Sequence, residues 1–314
     1  MSISGMVTPE PESTQPTASE DIIPQGNPWE TKTEVNEGQW PPTTESSPKE
    51  GEAVMRVEET TKPKDVVLET ILDRITPIGA SRKKLKVLLY SEPGAGKTTI
   101  LGQIPNSLII DVEDGLMSLN NHPELLADNV RTMPYKSFTG LELLIKKFAE
   151  NPPELSNIET LCIDSVSELH KRGLEEVTER EYERNPMGNR FVAETEHHTE
   201  NNEHIRRLAS SLRDLDRNMV ITAHSRTVEP KNRPAKTFPD FSEKLANTLA
   251  GIVDVVAYMY VDEIEGEKHR FIRFHTNGTI TAKTRIGGFP ELMANPTWSM
   301  IWDKFQESQK NINK

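Results

Sequence analysis

Residues 91–98, Ser91-Glu92-Pro93-Gly94-Ala95-Gly96-Lys97-Thr98, have the types and spacing needed to wrap a chain of phosphates. Gly94 and Gly96 lack a Cβ, so the backbone N–H groups around them can turn inward toward anionic oxygens. Lys97 brings a point charge within reach of β- and γ-phosphates, and Thr98 offers a hydroxyl to Mg²⁺. A helix starting at about Thr98 would add its dipole, and Thr99 closes the candidate nucleotide-binding run 91–99. The pattern fits at every position but the first, where Ser91 replaces glycine. That position mainly lets strand pass into loop, and a small side chain meets the need. ATP with Mg²⁺ is the expected ligand pair.

Other polar residues fall at the ends of apolar runs. Asp164 closes "TLCID", where a second acidic group holds Mg²⁺ directly or through water. The next residue is Ser165 and not glutamate, so a base that activates water must come from elsewhere. Glu113, after the run "SLIIDV", is the first candidate, with Asp111, Asp114 and Glu168 behind it. His224, after "MVITA", could bond the γ-phosphate or its attacking water, or be purely structural. Lys283 and Arg285 in "AKTR" stand two residues apart, which on a strand puts both on one face. They suit the transition-state charge of a neighbouring subunit's ATP; without a partner they are a solvated edge.

Positioning these groups requires a fold that gathers strand ends. "KLKVLLY" (84–90) is a buried strand before the glycine loop, and "SLIIDVED" (107–114), "NVRTMPY" (129–135), "ETLCIDSV" (159–166) and "MVITAHS" (219–225) are further strands. Between them run helical patterns at 140–150, stopped by Asn151-Pro152-Pro153, and at 203–218, after an interruption around 185–190. Residues 244–261 pass from helix to strand, and "KHRFIRFHT" (268–276) reads as an edge strand. The alternation predicts parallel strands with crossover helices, an α/β fold whose ligands sit at the C-terminal strand ends.

The whole chain is 314 residues long with a net charge of -12, which excludes a surface basic throughout and confines any nucleic-acid contact to a groove or loop. Nine of its 22 prolines precede residue 64, in a stretch rich in Ser, Thr and Glu. That composition predicts a disordered tail over 1–64 and a folded domain over 65–314, with "VVLETIL" (66–72) as an amphipathic lead-in. Trp29 and Trp40 in the tail are either tolerated exposed residues or docking motifs for a protein partner. The start of the chain has no signal-peptide pattern and no run suits a membrane span. The single Cys162 fits a reducing cytoplasm and reads as a small core residue.

"TLCIDSVSEL", "HIRRLASSLRDLDRNMVITAHSR" and "KLANTLAGIVDVVAYM", in this order, resemble the ATPase core of RecA-type recombinases. More narrowly, the chain resembles small phage-encoded ATP-binding proteins with a reduced version of that core, several of them associated with single-strand annealing and recombination. The resemblance covers roughly residues 84–293. It implies a RecA-like P-loop core, with a bacterial host's cytoplasm as location if the chain is phage-encoded. It also implies that "IIDVEDGL" carries the catalytic glutamate, supporting Glu113, and that His224 stands where recombinases have a glutamine sensing the γ-phosphate. Lys283 and Arg285 resemble the family's paired trans-acting cations, which implies a homo-oligomeric ring or filament with ATP between subunits. The family's DNA-binding loops would fall near 184–199 and 226–243. The second holds Arg226, Lys231, Arg233, Lys236 and Phe238, types suited to phosphate contacts and base stacking on a single strand. Glu229, Asp240 and Glu243 in the same loop leave a surface loop or nucleotide lid as the other reading. Two functions follow: an ATPase that assembles on single-stranded DNA, or a nucleotide-switched assembly protein with no DNA step.

Overall fold

The computed structural model describes residues 84–231 and 234–312. The expected tail, its two tryptophans and the 66–72 segment lie outside the described residues. Ten strands form one connected sheet: β1 (Lys86–Ser91), β2 (Ser107–Asp111), β3 (Val130–Pro134), β4 (Thr160–Asp164), β5 (Asn218–Val228), β6 (Lys236–Pro239), β7 (Val255–Ile264), β8 (Glu267–Arg273), β9 (Lys283–Thr284) and β10 (Leu292–Ala294). Its spine runs β10-β8-β7-β1-β5-β4-β2-β3. Every pairing from β7 through β1, β5, β4 and β2 to β3 is parallel, and β8, β10, β6 and β9 attach antiparallel.

Seven helices connect these strands among the described residues: α1 (Lys97–Gly102), α2 (Met117–Asn120), α3 (Phe138–Glu150), α4 (Val166–Arg184), α5 (Thr195–Asp214), α6 (Glu243–Ile252) and α7 (Trp298–Ile312). They cover both sheet faces, which is why the parallel strands read as continuous apolar runs rather than alternating ones. Within β1, Leu88 and Tyr90 face a core shared with α3, α4, α5 and α6, while Val87 and Leu89 face one shared with α1 and α7. The α/β class with a mostly parallel central sheet between helices is thus as expected.

Several boundaries differ from the sequence reading. The helix expected over 203–218 is α5, which begins eight residues earlier, where Glu194 and His197 form a reciprocal cap. It stops before Leu215, because residues from Asn218 onward pair with β1 and β4. The expected edge strand over 268–276 is β8, an interior strand: β7 pairs on one side and β10 on the other. Partners made far away in sequence decide that, and local pattern does not report them. Cys162 is fully buried, as expected of a core residue.

Candidate active site

Strand register brings the chemistry together. β1 ends at Ser91, directly opposite His224 of β5, and β4 ends at Asp164, opposite Asp111 of β2. One strand, β5, therefore lies between the strand feeding the glycine loop and the strand ending in the buried aspartate. The loop after β1 turns through Gly94 and Gly96, at φ of 79° and 110°. At Gly96 the backbone conformation requires glycine, and space is tight as well: an added Cβ would lie 3.0 Å from Arg270 Nε and 3.2 Å from Met259 Cε. The helix that follows, α1, has only six residues. Few peptide dipoles align in it, so the loop's own N–H groups and Lys97 are left as the main anion-binding elements.

Lys97 is buried and folds back over the loop. Its Nζ donates to Ser91 Oγ at 2.9 Å and to the carbonyls of Ser91 and Glu92 at 3.3 Å each. Ser91 is therefore a partner of the key cation rather than a silent substitution. Burial lowers the Lys97 pKa, against the pull of Asp164 and Glu113.

Thr98 Oγ1 donates to Asp164 Oδ2 at 2.8 Å, and Thr222 of β5 donates to the other carboxylate oxygen. Asp164 is 3% exposed, and burial raises its pKa despite these two donors. A carboxylate beside a hydroxyl, desolvated and lacking a full countercharge, is a donor set suited to a hard divalent cation such as Mg²⁺. Thr98 and Asp164 would hold that ion, which would neutralise phosphate charge. Among the described residues no cluster of three or more His, Cys, Asp or Glu forms a metal cage.

Glu113 sits beside them because the Val112 and Glu113 amides both donate to the Asp164 carbonyl, at 2.8 and 3.3 Å. Its Oε1 accepts from Ser165 Oγ and lies 3.0 Å from His224 Nε2. The His224 bond is the largest cause holding its pKa down at about 2; Ser165 and Lys97 assist, and burial opposes. Ser165 also caps α4, accepting from the Glu168 amide at 3.3 Å, which explains a serine at this junction. His224 is fixed through its backbone: its N–H donates to Ser167 Oγ at 3.0 Å and its carbonyl accepts from the Asp240 amide at 2.8 Å. The other candidate bases are placed less well. Glu168 pairs with Lys171 and Arg172 along α4, Asp111 accepts from the Gly115 amide, and Asp114 is exposed.

A family model described as "AAA domain" matches residues 83–286, more than half of the chain. The chain belongs to the AAA domain family. The matched span nearly coincides with the 84–293 region that resembles a RecA-type core, and it contains the glycine loop, Glu113, Asp164, His224 and Lys283. No curated protein matches the chain. Among solved structures, the flagellar accessory protein FlaH from Methanocaldococcus jannaschii is 10% identical, with 67% of this chain and 84% of that one covered and a TM-score of 0.35. A KaiC-like protein from Pyrococcus horikoshii is 13% identical, with 68% and 89% covered and a TM-score of 0.37. Scores this low say nothing further about this chain.

In this AAA domain the remaining candidates lie apart from the loop. Lys283, in the short β9, donates to the Ala250 carbonyl, and Arg285 Nη2 donates to the Gly251 carbonyl at 2.7 Å. Both cap the C-terminal turn of α6, where cations complement the exposed carbonyls. Lys283 pairs with Val256, three strand positions before the Met259 that faces Ser91, and both cations are bonded to the end of α6 and not to the loop. Burial and Arg285 lower the Lys283 pKa.

Residues 225–228 and 236–239 pair as the hairpin β5–β6. Arg226 faces Phe238 and Val228 faces Lys236, so the two cations and the ring share one face. With Phe241 they line a groove of about 550 Å³, where Glu243 adds a carboxylate. Lys231 is exposed in the turn, and Arg233 lies outside the described residues. The 184–199 region is the α4–α5 junction, with Phe191 exposed and Arg190 packed 5.4 Å from its ring centre. No helix among the described residues is long and apolar enough to cross a membrane.

The sequence reading missed Thr222, the second donor to Asp164, and Arg270, whose Nε donates to the Ala95 carbonyl at 3.2 Å. Thr222 left a signal, a hydroxyl inside the apolar part of a strand predicted to end at the site. Lys268 and Arg270, two apart just after the Glu265-Gly266 turn, marked a hairpin with a cationic side.

Proposed function

We propose that the chain is a Mg²⁺-dependent ATPase that assembles on single-stranded DNA, with ATP held between subunits, and supports annealing or recombination. The observation that carries the reading is the convergence of Lys97, Thr98, Asp164, Glu113 and His224 at adjoining strand ends. Loop amides and Lys97 hold the triphosphate. Glu113 takes the proton of a water whose oxygen attacks the γ-phosphorus; the bond to the β–γ bridging oxygen breaks, and ADP and phosphate leave. His224 would position Glu113 and bond a γ-phosphate oxygen. A neighbour's Lys283 and Arg285, released from α6, would supply charge to the opposite side of that phosphate.

The DNA step rests on the cationic and aromatic face of β5–β6, a strand pair that begins at Ser225, the residue after His224. Phosphate contacts from Arg226 and Lys236 with stacking on Phe238 suit a strand without sequence preference. ATP turnover measured with and without single-stranded DNA, with mass determination on the same samples, tests the reading. DNA-stimulated turnover by an oligomer is expected. Turnover without DNA binding at low salt would leave a nucleotide-switched assembly protein instead.

A further inference from the structure

Asp164 can serve a cation only if one of its oxygens stays turned toward Thr98, and β5 supplies a group for that task. The strand lies between β1 and β4, and Thr222, fully buried within it, stands in register with Leu89 of β1. Val220 of β5 and Cys162 of β4 share the core beneath α1. Thr222 is two positions on from Val220 and Asp164 two on from Cys162, so the strand period brings both polar side chains to that face. His224, two positions further along, reaches it as well. One strand therefore meets both acids of the site, Asp164 through Thr222 and Glu113 through His224.

We propose that Thr222 is a positioning residue for the Mg²⁺ site: it pins Asp164 Oδ1 and so fixes Oδ2, beside Thr98, as the oxygen offered to the cation. The proposal rests on the ATPase reading of the loop. Thr222 has one hydroxyl proton and two acceptors in reach, Asp164 Oδ1 and the Ile163 carbonyl at 3.3 Å. The carboxylate is the stronger acceptor when ionised, so it takes the proton. The two threonines that hold Asp164 are not equivalent. Thr98, on Oδ2, would be a ligand of the cation itself. Thr222 is buried on the other oxygen, so its bond need not break when a cation binds. Without that hydroxyl Oδ1 is a buried acceptor with no donor, a loss that weighs most on the charged carboxylate. Turning Oδ1 toward Thr98 would relieve it, but would displace Oδ2. Groups that orient a metal ligand in this way typically change metal affinity by about 10–100-fold.

Calorimetric titration of the full chain with ATP, over a series of Mg²⁺ concentrations and in EDTA without Mg²⁺, tests this in wild type, Thr222→Val and Thr222→Ser. Valine keeps the shape and removes the donor, whereas serine keeps the donor and removes a methyl group. The Mg²⁺ concentration that gives half of the Mg²⁺-dependent gain in ATP affinity should rise about 10–100-fold in Thr222→Val. It should stay close to wild type in Thr222→Ser, and ATP binding in EDTA should match wild type in both. An unshifted Mg²⁺ dependence in Thr222→Val overturns the proposal. An equal shift in Thr222→Ser overturns it too, because packing is then the cause. So does an equal loss of ATP binding with and without Mg²⁺, because the residue then serves the loop. If Thr222→Val melts below the assay temperature, Thr222→Cys, a weaker donor, should give a smaller shift in the same direction, and no shift overturns the proposal. Wild type that binds ATP no more tightly with Mg²⁺ than without overturns the Mg²⁺-dependent ATPase reading and this role with it, a result distinct from the others.

Discussion

His224 Nε2 lies 3.0 Å from Glu113 Oε1, the same carboxylate oxygen that Ser165 engages. A glutamate with two donors and a pKa held at about 2 is a poor proton acceptor. Turnover therefore needs at least one donor to leave Glu113 for another partner, and a γ-phosphate oxygen is the natural one for His224. The His224 carbonyl also accepts from the Asp240 amide just after β6, so the backbone that carries His224 is bonded to the hairpin that carries Arg226 and Phe238.

Glu113→Gln keeps the size of the side chain and removes the base. Nucleotide affinity should stay within a few-fold of wild type, and single-turnover hydrolysis should slow by about 10²–10⁴-fold. Normal hydrolysis would move the base to another carboxylate, with Glu168 the next to substitute.

Asp164→Asn should stabilise the ligand-free protein while abolishing Mg²⁺-dependent nucleotide binding. The folded pKa of Asp164 is raised, so between the ordinary carboxylate value and the raised one the native state binds more protons than the unfolded chain. Stability then falls as pH rises through that window and stays lower above it. Asparagine removes this cost, and a higher melting temperature at pH 7, with the difference vanishing below the window, is expected. A lower melting temperature at pH 7 would show that the Thr98 and Thr222 bonds outweigh desolvation.

Lys97→Ala should abolish ATP and tripolyphosphate binding, since the phosphates lose their main cation. Ser91→Gly restores the glycine of the phosphate-loop pattern and removes the 2.9 Å bond to Lys97 Nζ. With nothing competing for the lysine in the free protein, ATP should bind as tightly as to wild type or up to about tenfold more tightly, the worth of one charge-assisted hydrogen bond. Weaker binding measured by titration would mean that Ser91 helps to hold the phosphates.

Subunit mixing tests the trans role of Lys283 and Arg285. A Lys283→Ala/Arg285→Ala chain and a Lys97→Ala chain should each be nearly inactive, and mixing them should restore part of the turnover, because some interfaces then pair an intact loop with intact cations. The double variant should also lose about 1 kcal/mol of stability as the α6 carbonyls lose their caps. Full activity of the double variant alone would confine the two cations to capping.

Local physics wrote much of this protein into its sequence. The loop's glycines, Lys97, Thr98 and the apolar run before them respond to constraints spanning under ten residues. Asp164 was legible because an acid that ends a buried strand has few structural reasons to be there, and Glu113 because it follows such a strand by two residues. Tertiary structure alone decided the contacts between strands distant in the chain. Thr222 meets Asp164 only because β5 inserts between β1 and β4. Arg270 meets the loop across 175 residues, through a hairpin longer than the strand it flanks. Lys283 and Arg285 read in the sequence as cations for a neighbouring subunit's ATP or as a solvated edge, and packing sets them against the end of α6. Ser91 looked like a departure to be tolerated, and only the fold, by burying Lys97 against it, made it a ligand of that lysine. Strand order depends on which apolar faces bury together, and no short window of sequence holds that information.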